Sequence, residues 1–299
     1  MDIEIADGSG FCFGVRRAVN LALRAAEDHG RRTVTLGPLV HNPLVVERLE
    51  AKGIRAVEEV AGDADVVVLR AHGTPAPQEE SLRRRRLEIV DATCPFVKRA
   101  QRHARALREE GYQVVILGDR AHPEVASVRS YAGDDAVVVE SADDLPVALG
   151  PRVGVMAQTT QPEEAFLRLV RRLAPGAAEV RVVNTVCRST AARRAETEKL
   201  ASRVQVMIVL GGRRSHNTRE LARVSRLAGV DTHIERAREL QRQWFRNVGH
   251  VGVAAGASTP DEAIEDVVRR IRSFEEPFVS DGPAFSRPGG SGTPSPPLA

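Results

Sequence analysis

The chain has 299 residues, enough for about two domains, and its 42% hydrophobic and 28% charged residues are typical of a globular protein. Lys and Arg number 43 against 40 Asp and Glu, which leaves a formal charge of only +3, and aromatic residues make up 4%. This balance argues against a nucleic-acid-binding protein, which would neutralise many phosphates or stack bases. Three cysteines are an odd and sparse number for a disulfide scaffold.

The first residues and the apolar runs predict the compartment. Residues 1–7 are acidic and alternating rather than a secretory signal, and the longest apolar runs are too short to span a membrane. Together with free thiols, this predicts a cytoplasmic protein without membrane contact. Residues 280–299 are rich in Ser, Gly and Pro, and we expect a disordered tail there.

One order of predicted elements occurs three times along the chain. Each copy runs from a cysteine into an amphipathic helix, a strand ending in Leu-Gly, a polar cluster, a helix, a second strand and a further helix. The predicted first helices extend from the cysteines to Leu23, Leu107 and Leu200, and the strands that end in Leu-Gly cover residues 33–37, 114–118 and 206–211. The second strands begin at Val66, Val153 and Val251, and the helices behind them at about Gln78, Glu163 and Asp261.

The spacing within these units is regular, since the Leu of each Leu-Gly pair follows its cysteine by 24, 23 and 23 positions. In the first two units a final strand, over residues 87–93 and 180–186, leads into the next cysteine. The third unit lacks this strand, and Ile3 and Ile5 ahead of Cys12 supply it. We therefore predict domains over residues 13–94, 95–186 and 187–276, the last one completed by residues 1–12.

Strands that alternate with helices predict an α/β fold with parallel sheets. In such sheets ligands bind beyond the carboxyl ends of the strands, where every polar cluster of the three units falls. We therefore expect three similar α/β domains around a pseudo-three-fold axis, each contributing one cysteine and two strand-end loops.

The three equivalent cysteines, Cys12, Cys94 and Cys187, leave several interpretations open. A nucleophilic thiolate would explain only one of them, and structural zinc sites usually have closely paired cysteines, which this chain lacks. Buried cysteines acting as small apolar residues are common singly and unexpected in a triplicate. An iron–sulfur cluster fits best, because three thiolates leave one iron of a cubane open to a substrate oxygen.

His41, His72 and His122 each follow the end of a predicted strand. One such histidine is as often structural as functional, but three around one cavity would suit a phosphorylated ligand. Further neutral donors at strand ends are Ser215, Asn217 and Ser258. The chain has neither a Walker A nor a G-x-G-x-x-G loop, so a nucleotide cofactor is not indicated.

Two further features have two interpretations each. Glu124 is either a proton shuttle at the edge of a partly dry cavity or a first-turn carboxylate that complements a helix dipole. The four arginines at positions 83–86 are interpreted as a solvated helix face, and docking of an acidic electron-donor protein is the alternative.

Eight motifs follow one another between about residue 3 and residue 273: Gly10-Phe11-Cys12-Phe13-Gly14-Val15, Val40-His41-Asn42, Ala71-His72-Gly73, Asp91-Ala92-Thr93-Cys94-Pro95, His122-Pro123-Glu124-Val125, Gln158-Thr159-Thr160, Ser215-His216-Asn217-Thr218 and Ala255-Gly256-Ala257-Ser258-Thr259-Pro260. In this order they resemble the 4-hydroxy-3-methylbut-2-enyl diphosphate reductases, which catalyse the last step of the non-mevalonate isoprenoid pathway.

The resemblance implies a trefoil of three α/β domains around a [4Fe-4S] cluster bound by the three cysteines. It implies that an electron donor of the ferredoxin or flavodoxin type drives the reductive loss of a hydroxyl group, giving isopentenyl and dimethylallyl diphosphate. Glu124 and Thr159 would be catalytic, at the substrate hydroxyl. The residues implied to bind the substrate diphosphate are His41, His72, His122, Ser215, Asn217 and Ser258.

The sequence departs from the family pattern at two places. His216 stands where many relatives have Ser or Gly, and it is kept among the candidate substrate-binding residues. After about Glu276 the usual strand-like ending is replaced by the Ser/Gly/Pro-rich segment.

Two alternative functions stay open at this point. One is a dehydratase similar to quinolinate synthase, which would use the open iron on a carboxylate substrate. The other is a non-catalytic sensor of phosphorylated ligands that uses the cluster as a redox switch.

Overall fold

The computed structural model describes residues 1–27, 32–60, 62, 64–85, 87–227 and 231–275. Within these ranges the chain forms nine α-helices and twelve strands, and the strands make three four-stranded sheets in which every pairing is parallel. This is the predicted α/β class. None of the helices in these ranges is both long and apolar enough to cross a membrane.

The first sheet is built from consecutive segments of the chain. Its elements are α1 (Phe13–Glu27), β2 (Thr33–Leu36), α2 (Pro43–Glu50), β3 (Arg55–Val57), β4 (Val66–Leu69), α3 (Ala76–Arg84) and β5 (Glu88–Asp91). The strand order is β3-β2-β4-β5, so β2 and β4 are central and their carboxyl ends lie side by side.

The second sheet repeats this order as β7-β6-β8-β9. Its elements are α4 (Pro95–Glu109), β6 (Gln113–Leu117), α5 (Pro123–Ala132), β7 (Val137–Val139), β8 (Arg152–Ala157), α6 (Glu163–Leu173) and β9 (Glu179–Val182).

The third sheet draws on both ends of the described chain. Its elements are α7 (Arg188–Ala201), β10 (Val206–Leu210), α8 (His216–Leu227), β11 (Asp231–Ile234), β12 (His250–Ala255), α9 (Asp261–Ser273) and the first strand, β1 (Asp2–Ile5). The order is β11-β10-β12-β1, with Ile3 opposite Val251. β1 therefore takes the edge position that β5 and β9 take in the other sheets.

Helices cover both faces of each sheet, which is why the central strands are apolar on both sides. In β4, Val66 and Val68 pack into a cluster under α1 and α2, while Val67 and Leu69 pack with Leu82 of α3 on the opposite face. Alternate side chains of a strand point to opposite faces, so a run of four apolar residues is needed to fill both.

The sequence did not predict the three edge strands β3, β7 and β11, which are only three or four residues long. Arg83 and Arg84 form ion pairs with Glu79 and Glu80 one turn earlier on α3, as on a solvated helix face. The predicted disordered tail at 280–299 lies outside the described residues.

Candidate active site

Backbone hydrogen bonds hold the three cysteines in equivalent places. The N–H groups of Cys94, Cys187 and Cys12 donate to the carbonyls of Ala71 (3.0 Å), Thr159 (2.8 Å) and Ala257 (3.1 Å), which follow β4, β8 and β12. Each cysteine carbonyl then accepts a hydrogen bond from the first turn of the helix behind it, at Arg16, Lys98 and Ala191. Every cysteine therefore stands at the start of a helix and beside the end of a central strand.

All twelve residues that the sequence selected line one cavity. They are Cys12, Cys94, Cys187, His41, His72, His122, Glu124, Thr159, Ser215, His216, Asn217 and Ser258. The cavity contains about 830 Å³ not occupied by atoms, part of it open to solvent. The carboxyl ends of all three sheets contribute to it, as expected for ligand sites in parallel sheets.

The cysteines are closely packed. A Cβ on Gly14 would lie 2.5 Å from the Cys94 sulfur and 4.0 Å from the Cys12 sulfur, so only glycine leaves room for these two thiols. Burial raises the pKa of Cys94 to about 11, and the nearby Cys12 adds to the rise. Without a metal this thiol therefore keeps its proton.

Arg193 is a buried cation beside the same thiols. Its guanidinium donates to the carbonyls of Gly8 (2.8 Å) and Gly10 (2.9 Å), just ahead of Cys12. Burial lowers the pKa of Arg193, while charge on Cys12 and Cys187 raises it. An arginine stays protonated in such a place, so it supplies a fixed positive charge next to the sulfur atoms.

The three histidines pack into one compact group. The rings of His41 and His72 stack with centroids 4.3 Å apart, and His122 meets them edge-on at 5.1 and 5.2 Å. One ring nitrogen from each lies within 4.8 Å of the other two, so the group has the geometry to hold either an anion or a metal ion.

The histidines are neutral at pH 7 in the absence of a ligand. Burial lowers the pKa of His41 to about 4 and that of His122 to about 3, and it lowers the pKa of His72 well below its ordinary value. Around His41, the positive charges of Arg214, Arg70 and Arg219 act in the same direction, and the negative charge of Asp119 opposes them.

Several polar atoms that line the cavity are buried without a hydrogen-bond partner among the described residues. They are both side-chain atoms of Asn217, the Ser258 hydroxyl, the Thr160 hydroxyl and the Nδ1 atoms of His72 and His216. Leaving a buried polar group unpaired costs about 1–3 kcal/mol. Asn217 is only 3% exposed and lines the cavity, so its amide is placed to pair with a polar group bound there.

Glu124 and Thr159 form a buried pair in the second unit. The Thr159 N–H donates to one carboxyl oxygen of Glu124 (2.7 Å), and its hydroxyl donates to the other (3.0 Å). Burial raises the pKa of Glu124, and these two hydrogen bonds partly offset the rise. The local fold fixes the position, because Pro123 starts α5 and His122 caps it by accepting the Glu124 N–H (3.1 Å).

Sequence reasoning missed four residues at this site. Gly14 and Thr160 stood inside quoted motifs without a role, and Arg193 looked like an ordinary surface charge of a polar helix. A Cβ on Gly212 would lie 2.1 Å from the His41 carbonyl oxygen, so this glycine lets the loops of the third and first units touch. The doubled glycine after β10 was the available signal.

A family model described as "LytB protein" matches residues 3–272 of the chain. The 4-hydroxy-3-methylbut-2-enyl diphosphate reductase of Geobacter sulfurreducens is 46% identical over 280 residues, which cover 92% of this chain and 98% of the relative. The enzyme of the same name from Aquifex aeolicus is 45% identical over 282 residues, with coverage of 92% and 98%.

The chain is also similar to solved structures of reductases. A structure of (E)-4-hydroxy-3-methyl-but-2-enyl diphosphate reductase, described as the terminal enzyme of the non-mevalonate pathway, is 44% identical, with a TM-score of 0.69 and coverage of 91% of this chain and 100% of that one. A reductase from Plasmodium falciparum is similar with a TM-score of 0.84 over 90% of this chain and 87% of that one; at 24% identity it supports the fold alone.

Proposed function

Since the chain belongs to the LytB protein family, we propose that its central cavity reduces 4-hydroxy-3-methylbut-2-enyl diphosphate to isopentenyl and dimethylallyl diphosphate. In this reaction the bond from carbon to the hydroxyl oxygen breaks, two electrons and two protons are consumed, and water leaves. The observation that carries the proposal is that three thiols, a carboxyl held by a threonine and a set of unpaired polar atoms line a single cavity. These are the groups that an electron source, a proton source and a diphosphate site require.

We assign a [4Fe-4S] cluster to Cys12, Cys94 and Cys187. The donor set fits, because all three thiols are free, stand at equivalent helix starts and line one cavity. The helix N-termini and the buried Arg193 favour the negative charge that bound thiolates bring. Such a cluster would supply electrons. Its one iron that no cysteine binds would act as a Lewis acid for the substrate oxygen.

The three histidines and the unpaired polar atoms bind the diphosphate in this proposal. The amide of Asn217 and the hydroxyl of Ser258 donate to phosphate oxygens, and Ser215 lines the same cavity. An arriving anion favours the charged imidazoles, so binding raises the pKa of His41 and His72, while neutral His122 keeps its Nδ1 for the Glu124 N–H and can donate to the anion from Nε2. His216, whose Nδ1 is also unpaired, adds a fourth imidazole.

A diphosphate accounts for more of the site than a metal ion on the three imidazoles does. A metal ion would use one nitrogen from each ring and leave the amide of Asn217 and the hydroxyl of Ser258 without partners. Phosphate oxygens are acceptors for all of these donors at once.

Glu124 and Thr159 hold the proton for the leaving oxygen. Burial keeps Glu124 protonated to a higher pH than an exposed carboxyl, which suits a general acid near neutral pH. The Thr159 hydroxyl, 3.0 Å from Glu124, orients the carboxyl and is placed to share a hydrogen bond with the substrate hydroxyl.

We also propose that the three sheets correspond to domains over residues 13–94, 95–186 and 187–276 with residues 1–12, and that the enzyme works in the cytoplasm. The pairing of β1 with β12 supports the first assignment. The absence of a membrane-spanning helix in the described ranges is compatible with the second.

The histidine group predicts a pH dependence of stability. Because the folded protein holds the pKa of His41 at about 4 and an unfolded histidine has about 6.5, the unfolded chain binds more protons between these values. We expect the melting temperature to fall by roughly 5 °C more, between pH 7 and pH 5, than it does in a His41→Asn variant. Inorganic pyrophosphate reduces the fall, because it raises the pKa of the bound imidazoles.

A His103→Asn variant is the matched control, since His103 lies on α4 away from the cavity. It keeps the pH dependence of the unmodified protein. Thermal melts at both pH values, with and without pyrophosphate, measure the effect. An equal fall in all three proteins would contradict the assigned role of the histidines.

The proposed function is tested by anaerobic purification, followed by iron and sulfide analysis and by turnover of the hydroxymethylbutenyl diphosphate with a strong chemical reductant. We expect about four irons and four sulfides per chain, and both isoprenoid diphosphates as products. A protein without a cluster, or a loaded protein that leaves the substrate unchanged, would refute the proposal.

A further inference from the structure

The first turns of α1, α4 and α7 form an exposed surface directly beside the cysteines. Phe13 is 67% exposed and Phe96 is 36% exposed, although both are large apolar side chains. These two residues and Ser189 of α7 also line the cavity that holds the three thiols. The surface therefore borders the cavity that holds the proposed electron-accepting site.

The helix starts are joined to each other around the cysteines. Arg17 of α1 donates to the carbonyls of Thr93 (3.2 Å) and Asp91 (3.4 Å), which lead into α4. Arg193 of α7 donates to the loop that leads into α1. We call the exposed side chains Phe13, Arg16, Phe96, Arg99 and Arg188 the helix-start face.

The charge of this face is the reverse of what a helix start prefers. The first turns of α1, α4 and α7 contain no acidic residue, and neither do those of α2 and α8, whereas the first turns of α3, α6 and α9 contain Glu79, Glu163 and Asp261. Cations near a helix N-terminus oppose the helix dipole. Arg16 and Arg188 lie in the first turns of α1 and α7, so the stability of these helices does not explain the positive charge there.

The arginines of the face are available to a partner. Across the described ranges Arg99 and Arg188 have no ion pair, and Arg99 lies over the ring of Phe96 at 5.6 Å. Arg16 is exposed, forms an ion pair with Asp261 at 3.1 Å on the surface, and lies over the ring of Phe11 at 5.7 Å. By contrast, Arg83 and Arg84 of the arginine run already have carboxylate partners on their own helix.

We propose that the helix-start face is the docking site of an acidic protein that carries one electron at a time. The inference rests on the proposed function, because a reduction by two electrons needs a reductant from outside the chain. Each encounter oxidises one carrier molecule and transfers one electron, and two encounters complete a turnover. A small apolar centre with a basic rim suits short-lived electron-transfer complexes, which bury little area and depend on charge for their association rate.

The test compares a protein reductant with a small one on the cluster-loaded enzyme. Arg99→Glu and Arg188→Glu reverse charge on the face without touching a residue assigned to binding or catalysis. Arg172→Glu, at the far end of α6, is the matched control because it makes the same charge change on an exposed arginine without an ion pair in the described ranges. The probes are reduced plant-type ferredoxin, which is acidic, and reduced methyl viologen.

We expect each variant of the face to raise the KM for ferredoxin at least fivefold at low ionic strength, and turnover with methyl viologen to stay within twofold. The difference shrinks in 0.5 M salt, roughly threefold above physiological ionic strength, because salt screens exposed charges. Arg99→Gln gives a smaller increase than Arg99→Glu, and Arg172→Glu gives none.

Equal losses with both reductants, an unchanged KM for ferredoxin, or an unmodified enzyme that accepts electrons only from viologen would each overturn the docking site. Failure of the unmodified enzyme to turn over with viologen would instead refute the proposed function, and the docking site with it.

Discussion

A Glu124→Gln variant binds the diphosphate substrate normally and turns over roughly 10²- to 10⁴-fold more slowly than the unmodified enzyme, the usual effect of losing a general acid. The substitution keeps the size of the side chain. The new carbonyl oxygen still accepts the Thr159 N–H, and the new amide can donate to the Thr159 hydroxyl. What it removes is the acidic proton. Anaerobic kinetics give kcat, and titration calorimetry gives Kd.

Two comparisons make this result specific. Glu109→Gln, at the exposed end of α4, changes the same group outside the cavity and leaves kcat within twofold. The iron content of both variants equals that of the unmodified protein, so the loss is not a loss of the cluster. An undiminished kcat in Glu124→Gln would show that the carboxyl is only a first-turn helix residue, as the alternative interpretation of the sequence held.

The second large effect follows from the space beside the cysteines. In a Gly14→Ala variant the new Cβ lies 2.5 Å from the Cys94 sulfur, far inside the van der Waals distance, so the thiol is displaced. We expect this variant to retain less than about a tenth of the iron and of the activity, since loss of one of three ligands at a metal site removes most of its affinity.

Cys94→Ala sets the level of complete loss, and Gly176→Ala is the matched control, because a Cβ there meets nothing within 4 Å. Iron and sulfide analysis and the visible absorption of the cluster measure the outcome. Full iron content in Gly14→Ala would mean that Cys94 does not bind the cluster in the position described.

The repeat made most of the fold predictable. Cysteine-to-Leu spacings and alternating strands and helices led to the three parallel sheets, because a repeated pattern must form the same supersecondary unit each time. The sequence did not predict the edge strands β3, β7 and β11, and the reason is physical. Each covers only three or four residues, too few for a pattern of alternating apolar and polar residues to show.

The residues that line the cavity could also be predicted from the sequence. The strand ends of parallel sheets meet at one edge, and the selected residues all follow strand ends. The sequence does not show how close these residues lie to each other in the fold or how deeply each is buried. Nothing in the polar pattern of α7 distinguishes Arg193, 4% exposed, from its solvated neighbours on the same helix. The three histidines likewise have lowered pKa values because the fold buries them and places positively charged or imidazole side chains beside them.

The pairing of β1 with β12 has a consequence for the order in which the molecule can be assembled. The first two sheets use neighbouring segments, so each can close as soon as its own stretch of chain is available. The third sheet joins Ile3 to Val251 across nearly the whole described chain, and such distant contacts form slowly because a long loop must close first. Cys12 follows directly on β1 and is held by Ala257. The proposed cluster site can therefore be completed only after β1 has paired with β12, which would make loading of the proposed cluster a late event in biogenesis.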